Sequence, residues 1–149
     1  MADTYNTGYP LSEGIADPPR MVAPVILSGR VRVAYAYVLA TAATPPTTGD
    51  VVNVTTLPLG ATILGVMKKW ADMNNDDETL QLRAGTTAIG AADDVGTAQA
   101  AYAIDYTGCG VKITTEAMRT INVLLGGTAD ALDGTAGNKW EAIILYALD

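Results

Sequence analysis

Between residues 50 and 85 apolar and polar positions alternate in short blocks, and each block ends in residues that turn the chain. Residues 50–56, Asp-Val-Val-Asn-Val-Thr-Thr, are rich in β-branched side chains, which fit a pleated strand. Leu57-Pro58-Leu59-Gly60 then combines a fixed φ at Pro58 with a permissive backbone at Gly60, a corner signal. Residues 61–70 read as a second strand, and the polar cluster of residues 74–78 reverses the chain. In residues 79–83 Leu80 and Leu82 share one face while Thr79, Gln81 and Arg83 share the other. The block predicts strand, corner, strand, turn, strand.

Residues 29–39 alternate more strictly. Val31, Val33, Tyr35, Tyr37 and Leu39 line one face, expected to turn inward, with Arg32, Ala34 and Ala36 on the other. The paired prolines Pro45 and Pro46 make residues 40–49 a loop, since they cannot sit in a central ladder. After Gly85 the pattern loosens through residue 96, and Thr97 is placed to cap a short Ala-rich helix over residues 98–104. Residues 110–114, 119–125 and 139–148 complete the strand set, the last two joined by a glycine-rich stretch. In the last strand Trp140, Ala142, Ile144, Tyr146 and Leu148 form one apolar face, and Ile143, Leu145 and Ala147 make the other apolar as well. The outer face of Ile143 and Leu145 is therefore expected to lie under the N-terminal segment or another subunit, or else under a loop as in an ordinary central strand.

Residues 1–28 differ in character. Pro10, Pro18, Pro19 and Pro24 interrupt any regular pattern and leave only residues 21–27 as a short strand candidate. Tyr5, Tyr9, Leu11, Ile15 and Val22 are too many anchors for an idle linker, so the segment reads as an extended arm that packs on something; an unstructured terminus is the alternative. The expected organisation is an arm over residues 1–28 and one domain over residues 29–149. The expected fold is all-β: an antiparallel β-sandwich, jelly-roll-like, although an immunoglobulin-like sandwich shares these strand lengths and turn signals.

A chain of 149 residues supports one core, and its 15 glycines and 7 prolines favour many short strands. Phe is absent, which leaves aliphatics, Trp70, Trp140 and some tyrosines to fill that core. A net charge of −7 with nine basic residues argues against binding a phosphate backbone, so no nucleic-acid partner is expected. The chain has no histidine, which removes His-based triads and the commonest zinc ligand. Its one cysteine, Cys109, cannot form a disulfide within the chain, which suits a cytosolic origin. Residues 1–10 are polar with an acidic first charge, unlike a secretory signal, and the longest apolar stretch, residues 33–40, falls well short of the ~20 residues of a spanning helix. A soluble protein without a membrane partner is expected.

Candidate chemistry is thin. Asp76, Asp77 and Glu78 offer oxygen ligands but lack the glycine and spacing of a calcium loop, and Asp93 with Asp94, or Asp130 with Asp133, read the same way, as solvated acidic turns. Cys109 has no histidine to activate it. The glycines near 126–137 match no phosphate loop. The aromatics Tyr35, Tyr37, Tyr102, Tyr106, Tyr146, Trp70 and Trp140 could stack on sugars, but most of them sit on the inward face of alternating strands, which favours core packing. No catalytic residue, cofactor or metal site is expected, and the chain reads as a non-enzyme.

The proline-broken arm, residues 51–66 (VVNVTTLPLGATILGV), the Leu80-Gln-Leu-Arg-Ala-Gly85 segment and the closing Ile144-Leu-Tyr-Ala147 together resemble tailed-bacteriophage virion structural proteins of the small head-decoration kind. The resemblance covers residues 50–148. It implies a β-sandwich or jelly-roll trimer that sits on the outer capsid surface of the virion, after synthesis in the host cytoplasm, and clamps neighbouring major capsid subunits. On that reading Tyr5, Tyr9, Leu11 and Ile15 anchor the arm on a neighbouring subunit or the shell, and Ile143 and Leu145 contribute to contacts between copies. The competing reading is a receptor- or glycan-binding module, or another structural part, of a phage tail or fibre.

Overall fold

The computed structural model describes residues 30–39, 47–73, 78–127 and 138–148. Eight strands appear among them: β1 (Arg30–Leu39), β2 (Val51–Thr56), β3 (Ala61–Trp70), β4 (Glu78–Ala84), β5 (Thr87–Asp94), β6 (Gln99–Asp105), β7 (Thr120–Gly127) and β8 (Lys139–Leu148), with one short helix, α1 (Glu116–Arg119), ahead of β7. They form two antiparallel sheets of four, in the orders β1-β8-β3-β6 and β2-β7-β4-β5. Each sheet takes strands from both ends of the chain, which is jelly-roll-like wiring and confirms the expected all-β sandwich.

Local chemistry explains the elements the pattern anticipated. At the corner before β3, Gly60 takes φ +84°, a region costly for other residues, and its N–H bonds to the Ile113 carbonyl at 2.9 Å. Leu80 and Leu82 of β4 face inward and are buried, as are Ile121, Val123 and Leu125 of β7 in the same sheet. From the opposite sheet Ile63 and Val66 of β3 and Trp140, Ala142 and Ile144 of β8 meet them, so the core lies between the sheets.

Four expectations need correction. Residues 98–104 form no helix: β6 pairs with β3, with Met67 opposite Ile104 and Lys68 opposite Ala103, because the open edge of β3 supplies a ladder that outweighs the alanines' helix preference. The loosened stretch after Gly85 contains β5, hairpin-paired to β4. Residues 110–114 form no full strand: residues 110–113 share backbone hydrogen bonds with residues 60–63 around a single bridge, Thr62 to Lys112, where β6 has left the edge of β3. The faces of β1 are inverted: Ala36 and Val38 enter the core, while Val31, Val33, Tyr35, Tyr37 and Leu39 are exposed.

Between β6 and α1 the chain crosses closely over β5. A Cβ on Gly108 would lie 2.5 Å from both Cα and O of Ile89, so backbone would have to move. Gly108→Ala is therefore expected to destabilise by about 1–3 kcal/mol, as overpacking does, read as a lower urea midpoint at unchanged slope.

Candidate interaction surface

The outward face of the β1-β8-β3-β6 sheet is apolar in register across its whole width. Tyr35 pairs with Ile143, Ile143 with Met67, and Met67 with Ile104, one side chain from each strand in a single row. The neighbouring row runs Val33, Leu145, Gly65, and the Tyr106 ring lies against Gly65, at 3.5 Å from where a Cβ would be. Exposure remains high along these rows: 61% for Val33, 45% for Tyr35, 57% for Ile104 and 66% for Tyr106. Soluble monomers rarely leave contiguous apolar patches above a few hundred Å² bare. The opposite outer face, on the β2-β7-β4-β5 sheet, presents Thr79, Gln81 and Arg83 of β4 instead.

At one end this face closes on Glu141, whose carboxylate is only 4% exposed although β8 points it outward. Lys69 and Lys139 pair with it at 2.8 and 2.6 Å, the Tyr102 hydroxyl donates to it at 3.0 Å, and the Tyr35 hydroxyl donates to it as well. Lys69 Nζ also sits 4.6 Å above the centre of the Tyr102 ring, a cation–π contact. Two of the exposed tyrosines are thus held in place before any partner arrives. Prefixed aromatic side chains lose little freedom on binding, which is what favours tyrosine at binding surfaces.

The inward side of the same strands carries a second ionic group. Lys68 of β3 reaches across the core to Asp93 of β5 at 2.6 Å and to Asp105 of β6 at 2.7 Å, and donates to the Ala91 carbonyl at 3.0 Å. Trp140 Nε1 donates to the other Asp93 oxygen at 2.9 Å. Burial pushes the Asp93 carboxyl up, only partly offset by Lys68 and Trp140. For Asp105 burial also disfavours the charge, but hydrogen bonds from Lys68, Thr107 and Ala91 outweigh it and hold the carboxyl well below the usual range. Every member of the group is partnered, and the arrangement ties the two sheets together.

The structure brings Ile143 and Leu145 to the centre of the outer face, half-buried between β1 and β3. Tyr5, Tyr9, Leu11 and Ile15 lie outside the described residues, as do Asp76, Asp77, Asp130 and Asp133. Asp93 is no solvated turn residue but half of a buried ion pair. Tyr35 and Tyr37, read from alternation as core residues, are exposed, and with Tyr102 and Tyr106 they dominate the surface. The usable signal was the size of the alternating sets in β1, since Ala34, Ala36 and Val38 fit a close sheet-to-sheet approach better than tyrosines do. Cys109 is exposed in the turn after Tyr106.

No protein-family model matches this chain. No curated protein matches it. Among solved structures it is similar to a chain of the cyanophage Pam1 capsid asymmetric unit, with a TM-score of 0.60 and 27% identity over 90% of this chain and 96% of that one. It also shares its fold with a chain of the capsid of Ralstonia phage GP4, with a TM-score of 0.55 and 18% identity over 94% of this chain and 96% of that one. Fold and capsid neighbours together bear out the resemblance to phage virion structural proteins and support a virion structural role for this chain.

Proposed function

We propose that this protein is a non-enzymatic cement protein: it binds the outer capsid surface as an oligomer and holds neighbouring major capsid subunits together. The observation that carries the reading is the apolar sheet face that the described residues leave uncovered, Tyr35-Ile143-Met67-Ile104 with Val33-Leu145 beside it, on a chain whose structural neighbours belong to phage capsids. Cementing requires area and multivalency and no reacting group. Copies closed around a symmetry axis, a trimer on this reading, engage the lattice together, and linked contacts can raise avidity by ~10²–10⁴ over a single one. Ile143 and Leu145 then lie between copies.

The test combines light scattering on the purified protein with co-sedimentation on capsids assembled without it. A trimer that pellets with capsids and raises their resistance to heat is expected. Ile104→Glu places a charge at the β6 end of the apolar row and should shift the scattering mass toward monomer and lower the pelleted fraction at least tenfold, while the strand signal in circular dichroism persists. A monomer indifferent to capsids, with tryptophan fluorescence quenched by saccharides, would favour the tail or fibre glycan-binding reading instead.

A further inference from the structure

The outer face of the β1-β8-β3-β6 sheet starts at β1, an edge strand whose first residue, Arg30, follows a segment long enough to reach well past the domain. Fully extended, 28 residues span up to about 90 Å. A domain of this size is only about 35 Å across. Covering the segment's own sheet, about 33 Å along the strands, takes about ten residues of extended chain. Residues 5–15 lie further from Arg30 than that and can reach beyond their own sheet.

The chemistry of the two surfaces matches. Residues 1–28 contain Pro10, Pro18, Pro19 and Pro24, which favour extended conformations, with Tyr5 and Tyr9 ahead of the first of them, Leu11 and Ile15 between Pro10 and Pro18, and no lysine. Pro-rich extended segments are recognised by aromatic-lined surfaces, and the sheet face offers Tyr35, Tyr37, Tyr102 and Tyr106. The segment's acids, Asp3, Glu13 and Asp17, outnumber its one base, Arg20, while the rim of the face carries Lys69 and Lys139, each still partly exposed.

We propose that residues 5–15 of one copy dock on the outer face of the β1-β8-β3-β6 sheet of a neighbouring copy, so that the oligomer is held by exchanged arms. Tyr9, Leu11 and Ile15 take the apolar rows around Ile143 and Ile104, and Glu13, with Asp17 just past the docked segment, meets Lys69 and Lys139. The inference rests on the reading that the protein works as an oligomer, and it adds the element that joins the copies.

The experiment uses full-length chains in which Cys109 is replaced by Ser. Tyr9→Cys and Ile104→Cys variants are co-expressed, so that a disulfide between positions 9 and 104 can only join two copies; Leu11→Cys with Ile143→Cys is the second pair. After mild oxidation, peptide mass spectrometry is expected to find a cross-copy disulfide in up to about half of the Ile104→Cys or Ile143→Cys chains, the share whose neighbour carries the matching arm cysteine when the two variants mix at random in closed oligomers. Its absence from both pairs overturns the proposal, as does a disulfide that forms only when both cysteines lie in one chain. In parallel, a full-length variant with Tyr5, Tyr9, Leu11 and Ile15 all changed to Ser should keep its circular dichroism and bind a fluorescent apolar dye severalfold more strongly; unchanged dye binding counts against exchange. Capsid co-sedimentation of the same samples separates the two readings. Binding without exchange removes this inference and keeps the cement role, whereas exchange without binding does the reverse.

Discussion

Lys68→Ala is expected to lower the unfolding free energy at pH 7 by about 3–5 kcal/mol, the cost of leaving buried charges without their partner. The ammonium, 4% exposed, is the shared partner of Asp93 and Asp105 and bridges β3 to β5 and β6. Without it two carboxylates face each other in a poorly solvated space. The pH dependence follows from the two directions. Asp105 has its folded pKa depressed, so its contribution is fully present above the unfolded value of about 3.9 and is lost only as pH falls through the lower folded value. Asp93 has its folded pKa raised, so its contribution is present below the unfolded value and lost as pH rises through the folded one. The wild-type cluster therefore does not weaken the fold between pH 7 and 4, and the Lys68→Ala deficit shrinks in acid, where the variant's carboxylates, no longer held ionised by the ammonium, take protons. Urea midpoints at pH 7, 5 and 3 check this; a deficit independent of pH would mean the lysine contributes packing alone.

Trp140→Ala should cost at least about 3–5 kcal/mol, the range for truncating a large buried aromatic. Trp140 is fully buried near the N-terminal end of β8, on its inner face, and its indole N–H is committed to Asp93. Trp140→Phe separates the two contributions. It keeps most of the ring and removes the donor, so about 1–3 kcal/mol is expected, since an Asp93 oxygen is left without its bond. In a double-mutant cycle with Asp93→Asn the two losses should fail to add, because both act through one carboxyl. Denaturant melts of the four proteins supply the numbers, and strict additivity would show that the 2.9 Å contact carries no energy of its own.

Strand positions and turn corners were legible because they depend on neighbours in sequence: β-branched alternation in residues 51–56, the Pro58-Gly60 corner, and the doubly apolar run that became β8. The absence of histidine and the lone cysteine likewise narrowed the chemistry from composition alone. What alternation cannot carry is direction, since a period of two marks two faces and not which one meets the core. For β1 the core chose the small face of Ala36 and Val38 because the opposing sheet comes close there, and the tyrosines were turned out to form the candidate surface. Residues 99–105 became a strand because β3 had an edge to fill, a fact belonging to a partner strand distant in sequence. The ion group of Lys68, Asp93 and Asp105 joins three strands whose order only the wiring of the sheets decides. Local pattern thus determined that this chain is a β-sandwich, and tertiary packing decided which apolar face was buried in the core and which stayed on the surface.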